Sequence, residues 1–196
     1  MTTKIPIKLT SGWIQEGARE CISPYFNARP ENEVSLLVIH NISLPAGCFG
    51  TPYVDQLFQG CLDMEANSSF VDLKGLEVSA HFMIRRDGEI VQYVSCDKRA
   101  WHAGVSDHQG RQGCNDFAIG VELEGTDFMP YTCIQYQELT RLTLALFAAY
   151  PMLNMDKLVG HSDIAPGRKT DPGDSFDWAK YRNGLSNALS RSSGAV

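Results

Sequence analysis

The strongest constraint on the fold is a pair of short, mostly apolar segments, "VSLLVIH" at residues 34–40 and "DFAIGVELEG" at residues 116–125. Apolar runs of this length are typical of strands buried on both faces in the middle of a sheet. The first run ends in His40, and the second contains Glu122 between two apolar neighbours. Because side chains alternate along a strand, Glu122 points away from those neighbours. Both polar residues therefore need an explanation.

Strands and helices are predicted to alternate along the rest of the chain. Residues 79–94 predict two strands around an Asp87-Gly88 hairpin turn, and residues 157–161 predict a short strand that ends in His161. Helical spacing of apolar residues predicts helices over residues 54–62, 133–150 and 177–190. We therefore expect an α/β fold, a single domain with a central mixed β-sheet flanked by α-helices.

Composition and charge limit the possible functions. The chain has 196 residues, 43% of them hydrophobic, which suits one domain over 1–196 with its core at about 34–190 and a frayed tail at 191–196. The net charge of −6 and the lack of a Lys/Arg run disfavour a nucleic-acid partner. No apolar run approaches the ~18 residues of a membrane helix. The N-terminus lacks the apolar region of a signal peptide, and the six cysteines are scattered, so we expect a cytoplasmic protein, by default a monomer.

The segment "VGHSDIAPGRKTDPG" at residues 159–173 contains His161, Lys169 and Asp171 within eleven residues. Together with His40 and Glu122, these are the side-chain types that a hydrolytic zinc site uses. Imidazole and carboxylate groups bind the metal, and the metal activates a water molecule. A further carboxylate accepts the proton of that water, and a lysine stabilises the oxyanion.

Other interpretations of these residues remain open at this point. A histidine at a strand end often only hydrogen-bonds to backbone, and three more histidines compete as ligands. Glu122 is equally consistent with a structural ion pair to an arginine, and Lys169 and Asp171 with a solvated loop pair. The chain has no HExxH motif and no CxxC pair, so spacing alone does not choose the ligands. The competing histidines are His81, His102 and His108.

Five segments in register provide a more specific signal. Together they resemble the AmpD-type N-acetylmuramoyl-L-alanine amidases, relatives of phage-lysozyme amidases and peptidoglycan-recognition proteins. The segments span roughly residues 34 to 173, most of the chain, and keep their order. They are "VIHNISLPAGCFG", "VSAHFMIRRDGEIVQYV", "DKRAWHAGVS", "CNDFAIGVELEGTD" and "VGHSDIAPGRKTDPG".

The resemblance implies a role for each candidate residue. His40, His161 and Asp171 match the family's zinc ligands, Glu122 matches its proton acceptor, and Lys169 matches the residue that stabilises the transition state. The implied cofactor is Zn²⁺. The implied reaction is hydrolysis of the amide between (1,6-anhydro-)N-acetylmuramic acid and L-alanine in soluble peptidoglycan fragments, in cell-wall recycling. The alternatives are a non-catalytic module that binds muropeptides and a lytic amidase that acts on intact wall.

Four further positions bear on how a substrate is held. By the same matching, His102 contributes to the floor of the site and Trp101 offers an apolar face to the sugar, with core packing as the alternative for both. Better-known family members have arginine where this chain has Glu77 and Gly113, which changes the expected stem-peptide preference. Three arginines are candidates to replace them: Arg85, Arg86 and Arg111.

Overall fold

The computed structural model describes residues 7–193, in which strands and helices alternate along the chain. The strands are β1 (Leu9–Thr10), β2 (Trp13–Ile14), β3 (Arg19–Glu20), β4 (Phe26–Ala28), β5 (Leu36–Ile42), β6 (Phe82–Ile84), β7 (Ile90–Gln92), β8 (Lys98–Ala100), β9 (Asp107–His108), β10 (Arg111–Gln112), β11 (Ala118–Glu124) and β12 (Leu158–Gly160). The α-helices are α1 (Tyr53–Gln59), α2 (Cys133–Ala149), α3 (His161–Ile164) and α4 (Trp178–Ser193). Short 3-10 helices lie at Ser68–Leu73, Cys114–Asp116 and Met155–Lys157.

A six-stranded sheet in the order β12-β5-β11-β6-β7-β3 forms the centre of the domain. Its strand pairs are parallel except β6 and β7, which pair antiparallel around the Asp87-Gly88 turn. The predicted α/β fold, a single domain with a mixed sheet flanked by helices, is confirmed, and so is the predicted hairpin. The helices predicted over 54–62, 133–150 and 177–190 correspond to α1, α2 and α4.

The two faces of the sheet have different coverings. Leu37 and Ile39 of β5 belong to the apolar cluster that includes the buried residues of α2 and α4. Leu36 and Val38 point to the opposite face, where they pack with Ile164 of α3. All four of these β5 residues are at most 1% exposed, as expected for a strand buried on both faces. Among the helices within residues 7–193, none is long and apolar enough to cross a membrane.

The strand that contains His40 begins and ends at other residues than predicted. The strand predicted over 34–40 runs from Leu36 to Ile42, so His40 lies inside it. Pairing with β11 continues to the pair Ile42 and Glu124, because ladder hydrogen bonds use the backbone and tolerate polar side chains. The alternation of β5 places His40 on the same face as Leu36 and Val38.

His161 is the first residue of α3 rather than the last residue of a strand. The strand predicted over 157–161 stops at Gly160, whose N–H donates to the Asp163 carboxylate at 2.7 Å. This side-chain acceptor satisfies a free backbone donor at the start of the helix, so the chain turns into α3 at this point.

The ends of the packed region also differ from the predicted range of 34–190. Ile7 and Ile14, which precede that range, are buried in the main core, and β3 forms one edge of the sheet. At the other end α4 continues to Ser193, so residues 191–193 of the predicted frayed tail are helical. Residues 194–196 lie outside the described residues.

The loop after α3 folds back on itself. The N–H of Ser162 donates to the carbonyl of Asp171 at 3.0 Å, which returns Asp171 to the start of α3. Beyond it, Gly173 has a φ of +79° and lies so close to Asp127 that an added Cβ would be 2.2 Å from the Asp127 Cα. Gly167 in the same loop has a φ of +76°, but an added Cβ there would meet nothing within 4 Å.

The two glycines allow a matched test of this loop. Gly167→Ala should lower the free energy of unfolding by about 1–2 kcal/mol, because alanine is strained in the left-handed region. Gly173→Ala has the same strain and also a clash with the backbone of Asp127. It should therefore lower the free energy of unfolding by about 1–3 kcal/mol more than Gly167→Ala. Urea unfolding of both variants and the wild type measures the difference. Equal losses would show that the contact with Asp127 does not constrain the loop.

Candidate metal centre

Three predicted ligands converge at the carboxyl ends of neighbouring parallel strands. The Nδ1 atoms of His40 and His161 lie 3.0 Å apart, and each lies 3.0 Å from Oδ2 of Asp171. The two histidines are 1% and 3% exposed, while the side chain of Asp171 is 14% exposed. β5 supplies His40, and the turn from β12 into α3 supplies His161. The folded-back loop supplies Asp171.

The donor set and its spacing fit a zinc ion. Two imidazole nitrogens and one carboxylate oxygen are ligands that Zn²⁺ accepts, and three protein ligands leave a fourth position for water. Bonds of about 2.0–2.2 Å in tetrahedral geometry separate ligand atoms by about 3.3–3.6 Å. The observed triangle, with 3.0 Å edges, is slightly tighter than that spacing. Within the described part of the chain, His40, His161 and Asp171 form the group of three that has metal-ligand spacing.

The charges at this triangle favour a cation. Burial lowers the pKa of His40 to about 4, so its imidazole is neutral near pH 7 and offers a lone pair. Burial alone would raise the pKa of Asp171, but hydrogen bonds with His161 and His40 outweigh it and lower that pKa below its usual range. The result is a neutral histidine beside an ionised carboxylate, and the net negative charge of this pair attracts a cation.

Glu122 lies beside the triangle on the neighbouring strand. It pairs in register with His40 across the parallel ladder of β5 and β11, so both side chains leave the same face of the sheet. Glu122 is 8% exposed, and its Oε2 has no hydrogen-bond partner among the described residues. Burial and the negative charge of Asp171 raise the pKa of Glu122 well above its usual value. No arginine pairs with Glu122 among the described residues, so the alternative of a structural ion pair has no support.

Lys169 completes the predicted set. Its backbone N–H donates to the carbonyl of Ala165 at 3.0 Å, and its side chain is exposed at the rim. A cavity of about 270 Å³ connects Lys169 with the triangle and Glu122. Trp101 and His102 also line this cavity, together with apolar side chains of α1 and the following loop. The five predicted site residues therefore share one cavity.

The outer nitrogens of His40 and His161 contact one short segment, His102-Ala103. The Nε2 of His40 lies 3.0 Å from Nδ1 of His102, and the Nε2 of His161 lies 3.1 Å from the carbonyl oxygen of Ala103. These contacts were not predicted from the sequence, although both residues lie in the segment "DKRAWHAGVS". Their only sequence signal is the resemblance, because such contacts have no periodic pattern.

The other histidines have different surroundings. His81 is buried, with Nε2 3.0 Å from the carbonyl oxygen of Lys98 and Nδ1 accepting from the N–H of Gly120 at 3.0 Å. His108 is partly exposed, and neither His81 nor His108 belongs to the group with metal-ligand spacing. Among the five histidines, the fold therefore brings His40 and His161 together with Asp171 at metal-ligand spacing.

The two positions that depart from the resemblance lie in cavities near the site. Glu77 lines a cavity of about 160 Å³ that shares Leu57 and Leu76 with the central one. Gly113 lines a cavity of about 430 Å³ together with Arg168.

Each arginine suggested as a replacement has other partners. Arg85 forms ion pairs with Asp55, Glu89 and Glu124. Arg86 donates to the carbonyl of Pro130 and lies over the ring of Phe49. Arg111 pairs with Glu33 at 2.7 Å and lies over the ring of Phe117.

Comparison with known proteins finds similarity over most of the chain. A family model described as N-acetylmuramoyl-L-alanine amidase (Amidase_2) matches residues 30–174, which include all five predicted site residues. The 1,6-anhydro-N-acetylmuramyl-L-alanine amidase AmpD of Escherichia coli (strain K12) is 57% identical over 175 residues. That match covers 89% of this chain and 94% of the E. coli protein.

Solved structures show the same similarity. A crystal structure of a selenomethionine AmpD derivative superposes with a TM-score of 0.88 at 56% identity, covering 90% of this chain and 98% of that one. The structure of AmpDh3 from Pseudomonas aeruginosa in complex with anhydromuramic pentapeptide has a TM-score of 0.57 at 29% identity, covering 82% of this chain and 64% of that one. This chain therefore belongs to the N-acetylmuramoyl-L-alanine amidase family and is an amidase.

Proposed function

We propose that this protein hydrolyses the amide bond between (1,6-anhydro-)N-acetylmuramic acid and L-alanine in soluble peptidoglycan fragments, with zinc as cofactor, during cell-wall recycling. The observation that carries the proposal is the 3.0 Å triangle of His40, His161 and Asp171 beside the buried carboxyl group of Glu122. A chain that retains metal ligands, proton acceptor and lysine has the parts of a hydrolase rather than of a binding module.

The name and ligand of similar proteins support the substrate class. The E. coli relative is named for the 1,6-anhydro-N-acetylmuramyl-L-alanine amide, and the Pseudomonas structure contains an anhydromuramic pentapeptide. We extend that substrate class to this chain. We further propose that it acts in the cytoplasm as a monomer, where soluble wall fragments are available for reuse.

In the proposed mechanism His40, His161 and Asp171 would hold zinc. A zinc ion bound there would polarise the scissile carbonyl and make water more acidic. Glu122 accepts a proton from the attacking water, whose oxygen forms the new bond to the lactyl carbonyl carbon. The ammonium group of Lys169 stabilises the negative charge that develops on the carbonyl oxygen. Glu122 then returns the proton to the nitrogen of L-alanine as the C–N bond breaks.

The roles of Glu122 and Lys169 predict loss of turnover without loss of metal. Glu122→Gln removes the proton acceptor and should lower kcat by about 10²–10⁴. Lys169→Ala removes the charge near the oxyanion and should lower kcat by about 10²–10³. Steady-state kinetics on anhydro-muropeptide and zinc content by atomic emission measure the two effects separately.

Asp171→Ala is the contrasting variant, because it removes a ligand and should lose zinc and activity together. Full activity of Glu122→Gln would exclude Glu122 as the proton acceptor. A wild-type protein that stays active after complete removal of zinc by a chelator would exclude the cofactor.

The site should also discriminate between soluble and insoluble substrates. The reacting groups lie in a cavity of about 270 Å³ walled by α1 and the loop after it. Such a cavity accommodates the end of a muropeptide more readily than a glycan strand that continues on both sides of the scissile residue. We expect turnover of soluble anhydro-muropeptide to exceed turnover of insoluble sacculi at equal amide concentration, measured by release of free peptide.

Equal turnover of the two substrates would favour the alternative of a lytic amidase that acts on intact wall. Tight binding of anhydro-muropeptide without any product would favour the recognition module. Heat-treated enzyme provides the baseline for both measurements.

A further inference from the structure

The segment His102-Ala103 provides a hydrogen-bond acceptor to both histidines of the metal centre. Because both ligands direct Nδ1 into the triangle, their Nε2 atoms point outward. One reaches the imidazole of His102 at 3.0 Å, and the other reaches the carbonyl oxygen of Ala103 at 3.1 Å. A histidine that binds metal through Nδ1 carries its proton on Nε2 and donates it to a partner that fixes the ring.

The position of His102 is itself constrained. Its ring lies against Gly120, where an added Cβ would be 2.5 Å from the imidazole Cγ. It also contacts the rings of His40 and His81 edge-on, with centroids 5.0 and 5.6 Å away. Gly120 therefore provides the space for the ring, and the neighbouring rings limit its rotation.

The tautomers of His102 and His40 are coupled through their contact. The Nε2 of His102 is buried without a hydrogen-bond partner in the described part of the chain, so the hydrogen-bond contact of this ring is the one between its second nitrogen, Nδ1, and His40. When Nδ1 of His102 accepts, Nε2 of His40 must carry the proton. Nδ1 of His40 is then left with a free lone pair directed at the triangle.

Asn115 fixes the segment from the other side. Its side-chain oxygen accepts from the backbone N–H of His102 at 3.0 Å and of Ala103 at 2.8 Å. Asn115 is 6% exposed, so these bonds are shielded from water. Arg168 also donates to the carbonyl of Ala103, at 2.8 Å. One amide therefore holds the two residues that contact the two ligands.

We propose that His102 and Asn115 are positioning residues of the metal centre: His102 sets the tautomer of His40, and Asn115 holds the acceptors for both His40 and His161. This inference rests on the proposed function, because it assumes that these histidines bind zinc. In this role each residue acts through the zinc ligands, so its effect appears first in metal affinity and in the imidazole tautomer.

His102 offers a matched pair of substitutions. His102→Phe keeps an aromatic ring but removes the acceptor, and should weaken zinc binding by about 10–100-fold. His102→Asn places an amide oxygen near the position of Nδ1, and should retain affinity within a few-fold of wild type. Competition with a chromophoric zinc chelator measures affinity, and His108→Phe is the control at a histidine without a hydrogen bond to the ligands.

NMR of the zinc-loaded wild-type protein tests the same idea without a substitution. Imidazole ¹⁵N shifts should place the protons of His40, His161 and His102 on Nε2. Protonation of His102 on Nδ1 would overturn the proposal, and so would unchanged zinc affinity in a folded His102→Phe protein. A wild-type protein that binds no zinc would overturn the ligand set of the proposed function and this inference with it. A wild-type protein that binds zinc, with unchanged affinity in His102→Phe, would overturn this inference alone.

Substitution of Asn115 tests whether the contacts of His40 with His102 and of His161 with Ala103 depend on one side chain. Asn115→Ala frees the backbone of His102 and Ala103, and should also weaken zinc binding by about 10–100-fold. Because both substitutions disturb the same support, the double variant His102→Phe/Asn115→Ala should lose less affinity than the product of the single losses. Fully multiplicative losses, or an Asn115→Ala protein with wild-type affinity, would overturn the role of Asn115.

Discussion

The parallel pairing of β5 with its two neighbours is the constraint on which the site depends. β5 lies between β12 and β11, and parallel strands bring their carboxyl ends to the same edge of a sheet. His40 on β5 and Glu122 on β11 are direct register partners, and His161 follows β12 immediately. A shift of one residue in either ladder would turn His40 or Glu122 into the apolar face against α2 and α4. The core and the site therefore require the same register.

That arrangement places polar groups where they are costly without a cation. Burial lowers the pKa of His40 and raises that of Glu122, while hydrogen bonds with both histidines keep Asp171 ionised. A buried carboxylate is unfavourable unless it is paired, and without a metal the histidines provide that pairing for Asp171. A bound divalent cation would replace those hydrogen bonds and would also favour the ionised, proton-accepting form of Glu122. The electrostatics of the folded chain thus agree with the donor chemistry of the ligands.

The sequence predicts most of the central sheet, because its strands have local signals. The apolar runs of β5 and β11, the Asp87-Gly88 turn and the helical spacing of α2 follow from period and turn chemistry alone. Individual residues were less predictable, since His40 lies inside its strand and His161 begins a helix. The position of Asp171 beside the start of α3 depends on a hydrogen bond from the N–H of Ser162 to its carbonyl oxygen. Such a backbone contact leaves no pattern in the sequence. The ligand assignment therefore required the family resemblance, which carries long-range information that periodicity lacks.

The least predictable contacts are those that hold the segment His102-Ala103 in place. They begin outside the segment that matches the family model. Arg29, one residue before that match, is 5% exposed and donates to the carbonyl oxygens of Cys96, Asn115, Asp116 and Ala118. Burial lowers its pKa to about 10, which still leaves the guanidinium charged near pH 7. Carbonyl dipoles compensate that charge, and the fixed fork of donors orders the turn around Asn115. Because Asn115 binds the backbone of His102 and Ala103, a chain of hydrogen bonds connects Arg29 to both histidines of the candidate site. The candidate metal centre on adjacent strands is thus linked to a residue far from it in sequence.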